Sequence, residues 1–325
     1  QHPYPIPSKY INMRIVMFLL CTTFFLSACQ DKSTTPDQNT PNAQKVALQN
    51  SDKQFKDYWY QGKAEINSYK LEQARYGEIR EGEAVLIFVT EPFSRSKQVK
   101  LDNPSRAGDD NVSVLKCNAT RSFITGVYPY STMQSVFTPV ELAQYPFSLK
   151  ATTSTQEWCG QTFMQLNLAQ NKYEVAHNSY FEAEGDKNYE VDKVMLEEEI
   201  FNRIRIAPKS LPTGQIQMLP STLFTRLKHT PFQAFQAKAS LETSGKNEMI
   251  YSVDYPRLSR KLSIRFNKKF PHEILSWEET TPSGYGANAR LMTTRATRKE
   301  TSMLDYWQRN AKSDEGLRKK LKLEM

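Results

Sequence analysis

"TFMQLNLAQ", Thr162–Gln170, alternates with a period of two: Met164, Leu166 and Leu168 share one face, Gln165 and Asn167 the other. That pattern is a strand of an antiparallel sheet with one face in the core and one in water. Working outward, Phe147–Asp186 reads as two or three strands with turns near Gly160 and Asn171. Arg121–Val140 mixes aromatic and β-branched residues with Gly126 and Pro129, which reads as strand, bend, strand. "KQVKLD" and "VSVLKC" are two more strands, separated by the polar loop "NPSRAGDDN". Ala64–Phe93 reads as a hairpin turning near Glu81-Gly82. Its apolar run Ala84–Val89 is expected to be a central strand covered on both sides.

Past Asp186 the period changes. In "KVMLEEEIFNRIRIAP", Leu196, Ile200 and Ile204 recur every four residues, Glu197 to Glu199 occupy the first turn and Pro208 ends the run. This is a helix with acids at its positive end. Strands then return in "QIQMLPSTLFTRL", "FQAFQAKASLET", "EMIYSVDY", "RKLSIRFNKKF", "HEILSWEETT" and "ARLMTTRATRK". Ser302–Met325 reads as helical, weakened by Gly316, and Ser51 is expected to cap a short helix bearing Phe55, Tyr58 and Trp59. No strand–helix–strand alternation appears. The expected fold is therefore mainly β: a large twisted antiparallel sheet, or an open or partly closed barrel, with a central helix and a C-terminal helix. The boundaries are one β-rich domain over 51–325, with two halves split near 184–212 as the second arrangement.

The front of the chain is of another kind. Arg14 precedes the apolar run Ile15–Phe25, and Ser27 and Ala28 precede Cys29, the order of a secretory signal over 13–28. The run is too short to span a bilayer, which takes about 20 apolar residues. "LSAC", Leu26–Cys29, resembles the lipobox of bacterial lipoproteins. That resemblance implies cleavage before Cys29 and acylation of Cys29, and several acyl chains anchor stably where one does not. Residues 1–12 read as an upstream extension. Residues 29–50 are polar and rich in Asn, Gln, Thr and Pro, and read as a flexible tether. Gln30 in place of an inner-membrane retention aspartate implies an outer-membrane location. The expected partners are the membrane, through Cys29, and an unidentified envelope protein, glycan or lipid.

The formal charge is +8, with the basic excess crowded between Arg290 and Lys322. No nucleic-acid recognition motif accompanies it, and nucleic acid is not an expected partner. His177, His229 and His272 have no metal-ligand spacing, and no GxSxG, P-loop or GxGxxG occurs. No catalytic residue, metal or cofactor is assigned. Cys117 and Cys159 lie in separate predicted strands; a disulfide between them and two buried thiols are the open alternatives. Two places suit ligand binding: Tyr128 and Tyr130 in "VYPYSTMQSVFTP", and Glu157, Trp158 and Gln161 in "TSTQEWCGQTF". An aromatic face beside a few polar groups is the usual make-up of a ligand site. The competing reading puts Trp158 in the core and gives Gly160 to the bend.

Four stretches, "YWYQGKAEINSYKLEQARYGEIREGEAVLIFVTEPFS", "TGVYPYSTMQSVFTP", "TSTQEWCGQTFMQLN" and "LDYWQRN", resemble a family of uncharacterised Bacteroidota lipoproteins over nearly all of the mature chain. Its members often bear the label "septum formation inhibitor Maf". True Maf nucleotide pyrophosphatases carry Ser-x-Ser-x-Arg-Arg near the N-terminus; "FSRSK", Phe93–Lys97, is the nearest string here and lacks the paired arginines. The first functional expectation is a non-enzymatic, membrane-anchored binding or scaffold domain. The second is an envelope hydrolase of glycan or peptide, which requires at least two of Glu157, Glu278, Glu279 and His272 to converge in one cleft. The third and least favoured is Maf-like nucleotide hydrolysis.

Overall fold

The computed structural model describes residues 53–324. The extension, signal segment, Cys29, tether and Ser51 cap lie outside the described residues. Helix α1 (Lys53–Trp59) buries Phe55 and Trp59. A meander follows: β1 (Ala64–Arg75), β2 (Glu78–Ser94), the short β3 (Val99–Lys100), β4 (Asn111–Thr125), β5 (Tyr128–Pro139), β6 (Lys150–Glu157), β7 (Gly160–Leu168), β8 (Lys172–Ser179) and β9 (Lys187–Asp192). After β10 (Met195–Leu196) comes helix α2 (Glu199–Ile206), then β11 (Gly214–Leu219) and helix α3 (Thr222–Lys228). A second meander runs through β12 (Phe235–Ser244), β13 (Glu248–Tyr255), β14 (Arg260–Asn267), β15 (Ile274–Ser283) and β16 (Arg290–Leu304), and the chain ends in α4 (Gly316–Lys320).

All strands belong to one mostly antiparallel sheet. Its order runs from β10 and β11 through β16 to β1 and on to β9, with β3 added on β2. The two meanders join where β16 pairs with β1, Ala64 opposite Leu304. The sheet does not close: β9 pairs only with β8, and β10 pairs parallel with β11. Yet Lys193 and Val194 alone separate β9 from β10, so the two ends of the sheet are brought to one seam. The fold is mainly β, an open barrel-like sheet.

Alternation sets the inner face. Met164 and Leu166 on β7, Tyr173 and Val175 on β8, and Leu262, Ile264 and Phe266 on β14 are all buried. On β2 the inner residues Ala84, Leu86 and Phe88 are buried, whereas Val85 and Ile87 are half-buried on the outer face. Their cover comes from the C-terminal segment, where Leu321 packs down and its carbonyl accepts a bond of 2.5 Å from Ser68.

Three local expectations are corrected. The first hairpin turns at Tyr76-Gly77, not near Glu81-Gly82. Both turn residues have positive φ, 55° and 80°, as a tight hairpin turn requires. Gly82 is a strand residue, because a Cβ there would lie 2.2 Å from the Ser122 carbonyl oxygen. "STLFTRL" is the helix α3 rather than a strand, set off from β11 by Pro220. The C-terminal stretch is not one helix: Ser302 to Leu304 extend β16, 3-10 turns follow at Tyr306–Gln308 and Lys312–Glu315, and only Gly316–Lys320 is α-helical.

The barrel interior is plugged by α2 and α3. Seven of the eight residues of α2 are buried. From α2 and the residues just before it, side chains reach many walls. Asn202 donates to Leu115 O on β4 (2.8 Å) and Thr138 on β5 (2.9 Å), and Phe201 lies edge-on to Trp277 on β15. Arg205 forms a bidentate pair with Glu65 on β1 at 2.5 and 2.6 Å, between the rings of Trp59 and Phe88. Glu197, Glu198 and Glu199 do not serve a solvated helix end. Glu197 pairs with buried Arg260, Glu199 with Arg203 and Ser148, and Glu198 accepts from Thr222 and Gln134. A buried charge persists only when partnered.

Candidate ligand site: an aromatic mouth

In a meander, alternate connections lie at the same end. The β1–β2, β4–β5, β6–β7, β8–β9 and β15–β16 turns therefore form one rim, the upper one, and α3 fills the opening inside it. Helix α1 lies at the opposite end, where Phe55 and Tyr58 meet Phe270 of the β14–β15 connection.

The upper rim collects rings. Tyr76 stacks on Tyr285 (5.9 Å between centroids), and its hydroxyl is 2.8 Å from that of Tyr130. Tyr130 stacks on Phe123 at 4.9 Å, and Tyr128 lies 5.8 Å from Tyr130 and 6.4 Å from Trp158. Across the mouth, Phe181 touches His229 and Tyr180. Trp158, Tyr285 and Val127 are 70%, 75% and 79% exposed, and Ile79, Ile124, Tyr180 and Leu291 on the same rim are also exposed.

Beneath the rings lie charges. Arg75 donates to the hydroxyls of Tyr76 (3.0 Å) and Tyr130 (3.1 Å) and to Leu227 O on α3 (2.6 Å). It lies 4.1 Å from the Tyr76 ring centroid. Arg226 of α3 donates to Thr162 (3.0 Å), lies over Phe181 at 4.4 Å and comes within 4.0 Å of Glu157. Burial lowers the pKa of both Arg226 and Lys228. Glu184 accepts from Ser179 (2.5 Å) and is 2.6 Å from His229. Burial works against its charge, but Ser179 and His229 hold its carboxyl below the ordinary range. Burial lowers the pKa of His177, against the pull of Glu184.

Four of the five expected ligand residues share this mouth: Tyr128, Tyr130, Glu157 and Trp158. Trp158 does not fill the core; it stands in the β6–β7 turn, and Gly160 leaves room for Tyr180, whose Cγ would lie 2.4 Å from a Cβ there. Gln161 is not part of the cluster. Thr162 turns inward to Arg226, so its neighbour Gln161 faces outward, opposite Gln156. Cys117 and Cys159 form no disulfide with each other. Cys117 is buried on the inner face of β4, Cys159 is exposed in the β6–β7 turn, and both are free thiols. The sequence reading missed Arg75, Tyr76, Arg226, Glu184 and Tyr285. Only Tyr76-Gly77, a turn dipeptide between two strands, carried a usable signal.

The carboxylates of the hydrolase expectation do not converge. Glu278 faces outward and pairs with Arg295, Glu279 faces inward to Arg121 and Arg260, Glu157 is at the upper mouth, and His272 follows Phe270 at the lower end. Among the described residues, no group of three or more His, Cys, Asp or Glu could hold a metal ion. At the Maf-like string, Ser94 bonds to Asp110 (2.5 Å), whose carboxylate also accepts from the Ser96 amide (2.7 Å). Those bonds fasten the turn after β2.

Fold and site together define an open β-barrel-like protein with a helical plug and an aromatic mouth. No protein-family model matches the chain, and no curated protein matches it. Among solved structures it is similar to a beta-barrel-like protein of the domain of unknown function DUF1849 from Brucella abortus. The TM-score is 0.43 at 7% identity, over 74% of this chain and 97% of that one.

Proposed function

We propose that this chain is a membrane-anchored envelope lipoprotein whose barrel is a non-enzymatic binding module, with a glycan held at the aromatic mouth. One observation carries the reading: the interior is filled and α3 closes the upper end, so the aromatic rim around it is the surface left to a ligand. The cavity between α2 and the β2, β4, β5, β14 and β15 walls is about 30 Å³, room for about one water and not for an acyl chain. The rim instead offers exposed ring faces beside hydroxyl, carboxylate and guanidinium groups, as sugar rings require. The lipobox at Cys29 supports the anchor.

The test is co-sedimentation of the full-length protein in detergent with insoluble envelope polysaccharide. The expected result is retention that falls at least tenfold for Trp158→Ala, with acyl labelling lost in Cys29→Ser. Retention unchanged by Trp158→Ala would remove the mouth as the site. Co-purification of a lipid or protein instead of glycan would change the ligand class.

A further inference from the structure

We infer that the mouth contains an oxyanion subsite, centred on Tyr76 and Tyr128 and backed by Arg75 and Arg226, so that the ligand is an acidic sugar. This inference rests on the glycan reading.

The argument is one of unbalanced charge. Arg75 and Arg226 are 8% and 6% exposed. A guanidinium so far from water is normally neutralised by a carboxylate. Arg75 has none among the described residues; its partners are two phenols and a carbonyl. Arg226 donates to Thr162 and has the charges of Glu184 and Glu157 near it, Glu157 at the 4.0 Å limit, but neither carboxylate forms a hydrogen bond to it and its Nη1 has no hydrogen-bond partner. Lys228 adds a third cation, bonded only to the Pro282 carbonyl. Against these three stand Glu157 and Glu184, and Glu184 is already engaged by Ser179 and His229.

The phenols carry this excess to the surface. Arg75 donates to the Tyr76 and Tyr130 oxygens, so those hydroxyls act as acceptors toward the arginine and their protons are left to donate elsewhere. Tyr76 and Tyr130 satisfy each other once, which leaves one of those protons over. Tyr128 extends the cluster outward, its ring 5.8 Å from that of Tyr130 and 6.4 Å from that of Trp158. Phenol donors with a guanidinium behind them suit a carboxylate or a phosphate oxygen. The flanking faces of Trp158 and Tyr285 suit the sugar that carries it.

The experiment titrates the full-length protein in detergent at low salt, read by tryptophan fluorescence. The probes are a uronic-acid trisaccharide, its neutral counterpart, a phosphorylated sugar and inorganic phosphate. Expected is at least tenfold tighter binding of an acidic sugar than of the neutral one, a preference that weakens with salt. In Tyr128→Phe, which keeps the ring, the preference for the acidic over the neutral sugar should shrink several-fold. The better of the uronate and phosphate sugars identifies the acid. Equal affinity for acidic and neutral sugars, or a preference untouched by Tyr128→Phe, overturns the subsite and leaves the glycan module standing. If no sugar binds but inorganic phosphate does, and Tyr128→Phe weakens it, the oxyanion site stands and the glycan reading falls. If nothing binds, both fall.

Discussion

Glu198 shows how one side chain couples the plug to pH. Its Oε1 accepts from the Thr222 amide (2.6 Å), the Thr222 hydroxyl (2.7 Å) and Gln134 (3.0 Å), while Oε2 has no hydrogen-bond partner beside the small cavity. Burial, aided by the charge of Glu197, pushes its pKa from 4.5 to about 7 despite the bonds from Thr222. A group with a raised folded pKa binds more protons folded than unfolded, so its contribution is complete below pH 4.5 and lost as pH rises through 7. The cost over that window is about 3 kcal/mol. Glu198→Gln keeps the shape and the acceptor but has no proton to lose. Chemical denaturation should find the variant and wild type equal at pH 4, and the variant more stable by up to about 3 kcal/mol at pH 8. A wild-type-minus-variant difference that is flat with pH would mean that Glu198 titrates alike in the folded and unfolded chain. Composition could not reveal this: a glutamate at a helix start reads as solvated, and only the walls closing around it make it an acid.

Among the glycines, Gly82 on β2 is the one most tightly faced by a neighbouring backbone. It lies opposite Leu71 on β1 and Phe123 on β4, and a Cβ on it would lie 2.2 Å from the Ser122 carbonyl oxygen. Backbone cannot swing aside as a side chain can, so Gly82→Ala should cost at least about 2 kcal/mol. Gly126, in the β4–β5 turn, has open space around it and needs only its positive φ of 62°. Gly126→Ala should cost about 1 kcal/mol. Thermal unfolding of the two variants checks the order; equal losses would mean that β2 relaxes away from β4. The strands themselves were legible because each declares its buried face locally. Helix α3 was not, since Thr222–Lys228 buries six of its seven residues and so lacks the amphipathic period that marks a surface helix. The hairpin turn was misplaced because Gly82 and Gly77 look alike in sequence, although one serves close approach and the other a positive φ.

For the molecule as a whole, the pairing of β16 with β1 makes the two meanders a single body, and the β9–β10 seam is where the sheet stops. A single proteolytic cut in the exposed β8–β9 connection, between Ser179 and Lys187, should therefore not release two pieces. The fragments should co-elute in gel filtration and separate only in denaturant; separation in native buffer would show that the β1–β16 ladder and the shared core do not bind them. Strand existence, the antiparallel class, the central helix and the aromatic, carboxylate-bearing stretches at Tyr128 and Trp158 were readable from the residues alone, because periodicity and composition are local properties that each segment satisfies by itself. Which residues meet at the mouth was not. Arg75, Tyr130 and Leu227 are brought together by ladders between distant segments, and whether a charge is solvated or buried against a partner leaves no mark on its own neighbours in sequence. Tertiary pairing alone decided that the barrel is plugged, that Trp158 faces water and that two guanidiniums lie beneath the rim with too few carboxylates.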